Sequence, residues 1–189
     1  MKLAVAALLV GSAAAFAPAQ VGKATTALSA FENEIGAQPP LGLYDPLGLL
    51  KDADQARFDR LRYVELKHGR VAMLAVTGYL FTKAGNRLPG YEDIPSGFAA
   101  LKAMPPNAWI WTFFTVACLE IMMRDATGEA EFPGDFRNGF DFGWDKQTDE
   151  WKRNKRAIEL NNGRAAQMGI LGLMVHESMG NLSDIAPFS

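Results

Sequence analysis

Glu65-Leu66-Lys67-His68-Gly69-Arg70-Val71-Ala72 returns, with changes, as Glu159-Leu160-Asn161-Asn162-Gly163-Arg164-Ala165-Ala166. Glu, Leu, Gly, Arg and the closing Ala keep their places in both copies. Each copy opens an apolar run without a charge, Val71 to Phe81 after the first and Ala165 to Val175 after the second. Each therefore brings an acid and a base to the mouth of a hydrophobic interior. That is costly unless the charges are paired.

The spacing says where the pairing lies. Glu65 and His68, three apart, adjoin on one helix face. Arg70 sits about 140° round the helix from Glu65 and is badly placed to pair with it. It can reach the equivalent glutamate of a second helix packed against the first. Two copies related by a pseudo-twofold axis predict the reciprocal pairs Glu65–Arg164 and Glu159–Arg70. Gly69 and Gly163 would let the two backbones approach at the crossing, as small residues do between membrane helices.

Outward from the repeats, the chain divides readily. The prolines of Gln38-Pro39-Pro40-Leu41-Gly42-Leu43-Tyr44-Asp45-Pro46-Leu47-Gly48 exclude a regular helix, so residues 31–54 read as an extended arm with turns lying on the body. A first helix is expected from Ala53–Arg57 to about Lys83, stopped by Gly85-Asn86 and Pro89. A short amphipathic piece, Phe98 to Met104, follows in the next loop. A middle helix is expected from Asn107 to Asp125, then a polar connection from Ala126 to Glu150. A third helix runs from about Trp151 to Met179, with no clear fourth after it. No uncharged stretch reaches the roughly 18–20 residues of an ordinary transmembrane helix. First and third helices of about 27–30 residues would nevertheless be about 40–45 Å long, enough to cross a bilayer. The fold expected is all-α, with three transmembrane helices, the first and third crossed with pseudo-twofold symmetry.

The N-terminus stands apart. Lys2, the apolar Leu3 to Val10 and the small residues Gly11 to Ala15 form a signal-peptide pattern with cleavage near Ala15–Phe16. Residues 16–30 lack acids and are rich in Ala and Thr, like a transit peptide. Residues 1–30 are thus expected to be a bipartite plastid presequence, and 31–189 the functional domain. The alternative for this stretch is plain export with an unstructured start.

Composition narrows the function. A net charge of −2 argues against a nucleic-acid partner. The lone Cys118 cannot form an intrachain disulfide, and no Cys/His cluster has zinc spacing. An arginine-neutralised carboxylate, an asparagine carbonyl and a neutral histidine share one capacity. Each can fill the open axial position of a chlorophyll magnesium, a hard ion that takes oxygen readily. Glu65, His68, Glu159 and Asn162 supply these groups at the same two offsets. His176 lies within roughly 40° of the Asn162 face, and Gln167 is a further amide able to ligate or hydrogen-bond. Glu120 and Arg124 read as an i,i+4 pair on the middle helix. A di-iron carboxylate enzyme is the rival from another class, since Glu65-x-x-His68 fits half of its ligand set. Asn162, standing where that set needs histidine, discriminates against it.

The two repeats resemble those of light-harvesting chlorophyll-binding proteins. Leu41-Gly42-Leu43-Tyr44-Asp45-Pro46-Leu47-Gly48, the Phe132-Pro133-Gly134-Asp135-Phe136 loop and the presequence are similar to the fucoxanthin–chlorophyll a/c branch of diatoms and related algae. The resemblance covers residues from about Phe31 to the C-terminus. It implies a multi-pass thylakoid protein, its N-terminus facing the stroma, that harvests light and is no enzyme. Glu65, His68, Glu120, Glu159, Asn162, Gln167 and His176 become chlorophyll ligands, with Arg70 and Arg164 as cross-helix partners. Arg124 follows Glu120 by four residues where the plant-type pattern has three, which leaves the middle-helix site the least defined. The cofactors implied are chlorophyll a, chlorophyll c, fucoxanthin and a further carotenoid, diadinoxanthin. The partners implied are thylakoid lipids, homologous antenna subunits in oligomers, and photosystem I or II. A stress-induced, energy-dissipating relative shares the same ligand motifs and stays open.

Overall fold

The computed structural model describes residues 31–125, 128 and 130–185. The expected presequence lies outside the described residues. The described chain is helical, and its single β-bridge, between Gln38 and Gly42, belongs to no strand. The helices are α1 (Gln55–Lys83), α2 (Phe98–Ala103), α3 (Pro106–Met122), α4 (Asp149–Ser178) and α5 (Leu182–Ile185). Residues 31–54 form a unit of turns, as their prolines require. In it the Asp45 carboxylate accepts from the amides of Leu49 and Leu50 at 3.0 and 2.8 Å.

α1, with 29 residues, is about 44 Å long. Its end is closed by side chains. Asn86 Nδ2 donates to Phe81 O at 3.2 Å, Arg87 donates to Thr82 O, and Gly85 takes φ 86°. These groups satisfy carbonyls that the helix itself leaves open. α4, with 30 residues, starts on Thr148, whose hydroxyl accepts from Trp151 N. Asp149 and Glu150 in its first turn suit the positive end of the helix. It ends on Gly180 at φ 73°, where Gly180 N donates to Glu177 O and Asn181 N to His176 O. That pair of bonds is a Schellman cap.

Two expectations need correction. The middle helix stops at Met122 instead of reaching Asp125, because Met123 leaves helical geometry and the Asn138 side chain caps Met122 O at 3.3 Å. One helical turn, α5, follows α4 where no clear helix was expected.

The expectation of three transmembrane helices also meets a limit. The three long helices stand where expected, yet no helix among the described residues is long and apolar enough to cross a membrane. The reason is physical: α1 and α4 carry their repeats' charges within the helix, and α3, at 17 residues, spans only about 26 Å. α1 packs on α4, burying Leu66, Gly69 and Ala72 of one helix and Leu160 and Gly163 of the other. α3 buries only Ala108. Val71, Leu74, Trp111, Phe113, Ile121, Met168 and Leu171 all lie exposed, and no large side chain among the described residues is fully enclosed.

Candidate pigment-binding site at the helix pair

The two repeats meet at their glycines. A Cβ built on Gly69 would lie 2.9 Å from Gly163 Cα, and one on Gly163 would lie 3.0 Å from Gly69 Cα. Only residues without a side chain let the backbones come so near. The close approach brings the predicted pairs together. Arg70 Nε donates to Glu159 Oε1 at 2.6 Å, and Arg164 Nε donates to Glu65 Oε1 at 2.7 Å. The four side chains are between 22% and 42% exposed, so the pairs are partly withdrawn from water. Each carboxylate oxygen has two acceptor sites, so a bonded glutamate keeps capacity for a magnesium ion.

His68 and Asn162 hold equivalent places in the two copies, and both are exposed on their helices. His68 Nδ1 lies 2.8 Å from Val64 O. A carbonyl only accepts, so Nδ1 donates, and a neutral ring held this way turns Nε2 towards a metal, oriented from behind as such ligands are. His176 Nδ1 similarly bonds Asn181 Oδ1 at 3.1 Å. Gln167 turns inward: its Nε2 donates to Glu65 O at 3.4 Å, beside the glycine contact. Glu120 is held differently from expectation. Its Oε2 accepts from Lys67 Nζ on α1, while Arg124 lies beyond the end of α3.

Sequence reasoning missed several supports. Arg62 Nη1 donates to Glu65 Oε2 at 2.6 Å, giving that carboxylate a second arginine. Its counterpart three before Glu159 is Arg156, whose guanidinium stands 4.1 Å over the Phe132 ring. Extending the repeat by one helical turn towards the N-terminus would have found both. The Phe132–Phe136 loop closes over Arg70: Gly134 O accepts from Arg70 Nη1 at 2.8 Å, and the Phe136 ring lies 4.8 Å from the guanidinium. At φ 88° Gly134 has no substitute, and a Cβ there would sit 3.1 Å from Leu66 Cδ1. Arg137 ties this loop down, bonding Asp135 Oδ2 at 2.6 Å and Glu131 Oε2 at 3.1 Å. The guanidinium beside Asp135 holds its carboxyl down at about 2, against the opposing effect of burial. The Trp144 indole, then Lys152 and Arg137, hold the Glu131 carboxyl below its ordinary value.

No group of three or more His, Cys, Asp or Glu is placed to hold a metal ion among the described residues. Glu65 and Glu159 each face an arginine of the opposite helix, where a di-iron centre would need them to converge on metal. The donor set present fits a different group, a metal that arrives with most of its coordination filled and asks for one axial ligand. A family model described as "Chlorophyll A-B binding protein" matches residues 31–178.

The chain belongs to that family.

Its relatives agree over most of their length. A protein of Trieres chinensis named fucoxanthin-chlorophyll a-c binding protein, chloroplastic, is 60% identical, across 95% of this chain and 96% of its own. The D form from Phaeodactylum tricornutum is 58% identical across 95% and 97%. The F form from Macrocystis pyrifera is 54% identical across 80% of this chain and 76% of its own. The family match covers both repeats, all of α1 to α4 and the loop that closes on Arg70.

Proposed function

We propose that this protein is a photosynthetic antenna that binds chlorophyll a, chlorophyll c and fucoxanthin and passes excitation energy to photosystems. The observation that carries the reading is the reciprocal pairing of Arg70 with Glu159 and Arg164 with Glu65 across the Gly69–Gly163 contact. The pairing leaves an oxygen donor without uncompensated negative charge on each of two adjacent helices, Glu65 being met by Arg62 as well as Arg164. When bound, chlorophylls and carotenoid supply light absorption and excitation transfer. The protein's own work is to hold, orient and tune.

Glu65 and Glu159 would each hold a chlorophyll magnesium, their carboxylates locked in direction by an arginine on the facing helix. His68, Asn162 and His176 supply further ligands, the two histidines fixed in tautomer by bonds behind the ring. Glu120 supplies one on the middle helix. Gln167 acts as a crossing brace through Glu65 O and keeps an amide oxygen for ligation or hydrogen bonding. The exposed apolar faces of α1, α3 and α4 are the surfaces on which chlorophyll tails, fucoxanthin, diadinoxanthin and lipid lie. Covering them stabilises the fold by about 25 cal/mol per Å² of apolar surface removed from water.

The membrane reading follows from the same pairing. The charges that lower the hydropathy of α1 and α4 are matched across the helix contact, so the pair crosses the thylakoid membrane at reduced cost. α3 crosses alongside, and the N-terminus faces the stroma. Residues 1–30 act as the bipartite plastid presequence, in keeping with relatives named chloroplastic. Homologous subunits form the oligomers through which energy reaches photosystem I or II. The test is a fluorescence excitation spectrum of the purified protein, read at chlorophyll a emission. Bands of fucoxanthin and chlorophyll c are expected in it. A purified protein without chlorophyll, or one whose chlorophyll emission ignores those bands, defeats the reading.

A further inference from the structure

The α1–α4 pair is built on a repeat, but α3 is single, so some residue must distinguish the flank on which it docks. Lys67 is the position where the two copies differ in charge. It is lysine in the first and Asn161 in the second. Lys67 Nζ bonds Glu120 Oε2, reaching from α1 to α3. An asparagine offers no charge to a carboxylate, so the equivalent place on α4 cannot form this ion pair. Arg124, the other cation close in sequence, follows Met123, which has left the helix at φ −91° and ψ 38°.

The surroundings make the pair matter. Val64 and Val71 flank Lys67 on α1, and Val116, Leu119 and Ile121 flank Glu120 on α3, all exposed. In water an exposed ion pair contributes little. Among apolar neighbours covered by lipid or pigment, either charge alone is strongly unfavourable, and the pair is held together by the cost of parting it. Few other contacts hold α3, whose only buried residue is Ala108.

We propose that Lys67 is the positioning residue for the middle helix. It docks α3 on the first-helix flank of a twofold pair and neutralises Glu120, so that this carboxylate is a net-neutral donor for chlorophyll magnesium. The docking half stands on the contact itself, and the ligand half rests on the antenna reading above. Lys67 plays towards Glu120 the part that Arg70 and Arg164 play towards their glutamates, with one difference. A lysine ammonium is a point charge without the planar fork of arginine, and it neutralises without fixing the carboxylate plane.

Two measurements test it. The pigmented full-length protein in mild detergent is treated with a carbodiimide, which joins an amine to an adjacent carboxylate, and its peptides are mapped by mass spectrometry. A Lys67–Glu120 link is expected. Linkage of Glu120 to a different lysine, or no linkage of Glu120, overturns the docking. Separately, chains are refolded with extracted pigments. Lys67→Met is expected to lose one chlorophyll per chain against the parent. The double variant Lys67→Met with Glu120→Gln should regain it, because an amide oxygen ligates without a cation beside it. Full chlorophyll in Lys67→Met, or no recovery in the double variant, overturns the ligand half. A parent chain that takes up no chlorophyll defeats the antenna reading and leaves the docking to the cross-link.

Discussion

Arg70 does three things with one guanidinium: it bonds Glu159, bonds Gly134 O and stacks on Phe136. Replacing it with leucine leaves Glu159 charged without its partner. The expected cost is about 3–5 kcal/mol in apolar surroundings, with poor assembly and lost chlorophyll. Glu159→Gln in the same chain removes the stranded charge and should restore part of the yield. Normal assembly of Arg70→Leu, scored by pigment per chain, would show that the crossed pair is not needed. Gly69→Ala tests the contact rather than the charge. Its methyl would meet backbone 2.9 Å away, which cannot swing aside, so about 1–3 kcal/mol of overpacking is expected. Thermal melting of the pigmented protein checks it, and an unchanged midpoint would mean that the helices part freely. These residues were legible in the sequence because helical periodicity alone excludes Glu65–Arg70 pairing and demands a second helix. Arg62 was not: its bond to Glu65 competes with stacking on Phe58, 5.2 Å away, and only the fold shows that both occur.

At the scale of elements, the ends of α1 and α4 were read as closely as their beginnings, and the end of α3 was the boundary missed furthest. Proline at the start of α3 and the acids after Thr148 announce a helix locally. The end of α3 is decided by Asn138, sixteen positions later, and no local pattern carries that. The same applies to the loop before α4. Its Phe132–Phe136 segment reads as a turn, but its task of closing over Arg70 appears only in three dimensions. This loop also has a pH signature. Arg137 lowers the Asp135 carboxyl from about 3.8 to about 2. A carboxyl depressed on folding contributes stability above its unfolded value and loses it as pH falls through the folded one. Between pH 4 and 2 the loop is therefore expected to loosen from Arg70. Asp135→Asn should already be loosened at neutral pH and show less change over that range. Amide hydrogen exchange of residues 131–137 measures this. An identical acid response in the variant would assign the transition to another group.

For the whole molecule the sequence predicted the order of elements and the pairing of the long helices, while hydropathy left the membrane question open. It did so because charges that cancel across a contact are counted in full when each helix is taken alone. The arrangement has an energetic consequence. With so few enclosed side chains, the described chain has little core of its own, and its stability must come from what covers its apolar faces. Anything that binds the folded state alone raises its stability by mass action. Removing pigment with organic solvent and returning the protein to detergent should thus abolish its cooperative melt. Circular dichroism reads this, and a pigment-free chain that melts sharply at the original temperature would contradict it.

The twofold frame is unequal in one further respect. Glu65 accepts from Arg62, whose guanidinium lies 5.2 Å from the Phe58 ring, and from Arg164, whereas the matching Arg156 lies closer to an aromatic ring, 4.1 Å from Phe132. Two copies of one dye seated on these glutamates would therefore feel different fields and take different colours. Arg62→Leu should shift one absorption band and spare the other, and equal movement of both would mean that the asymmetry is optically silent. A symmetric scaffold whose two dyes sit beside unlike cation surroundings becomes a slope, down which excitation has a preferred direction.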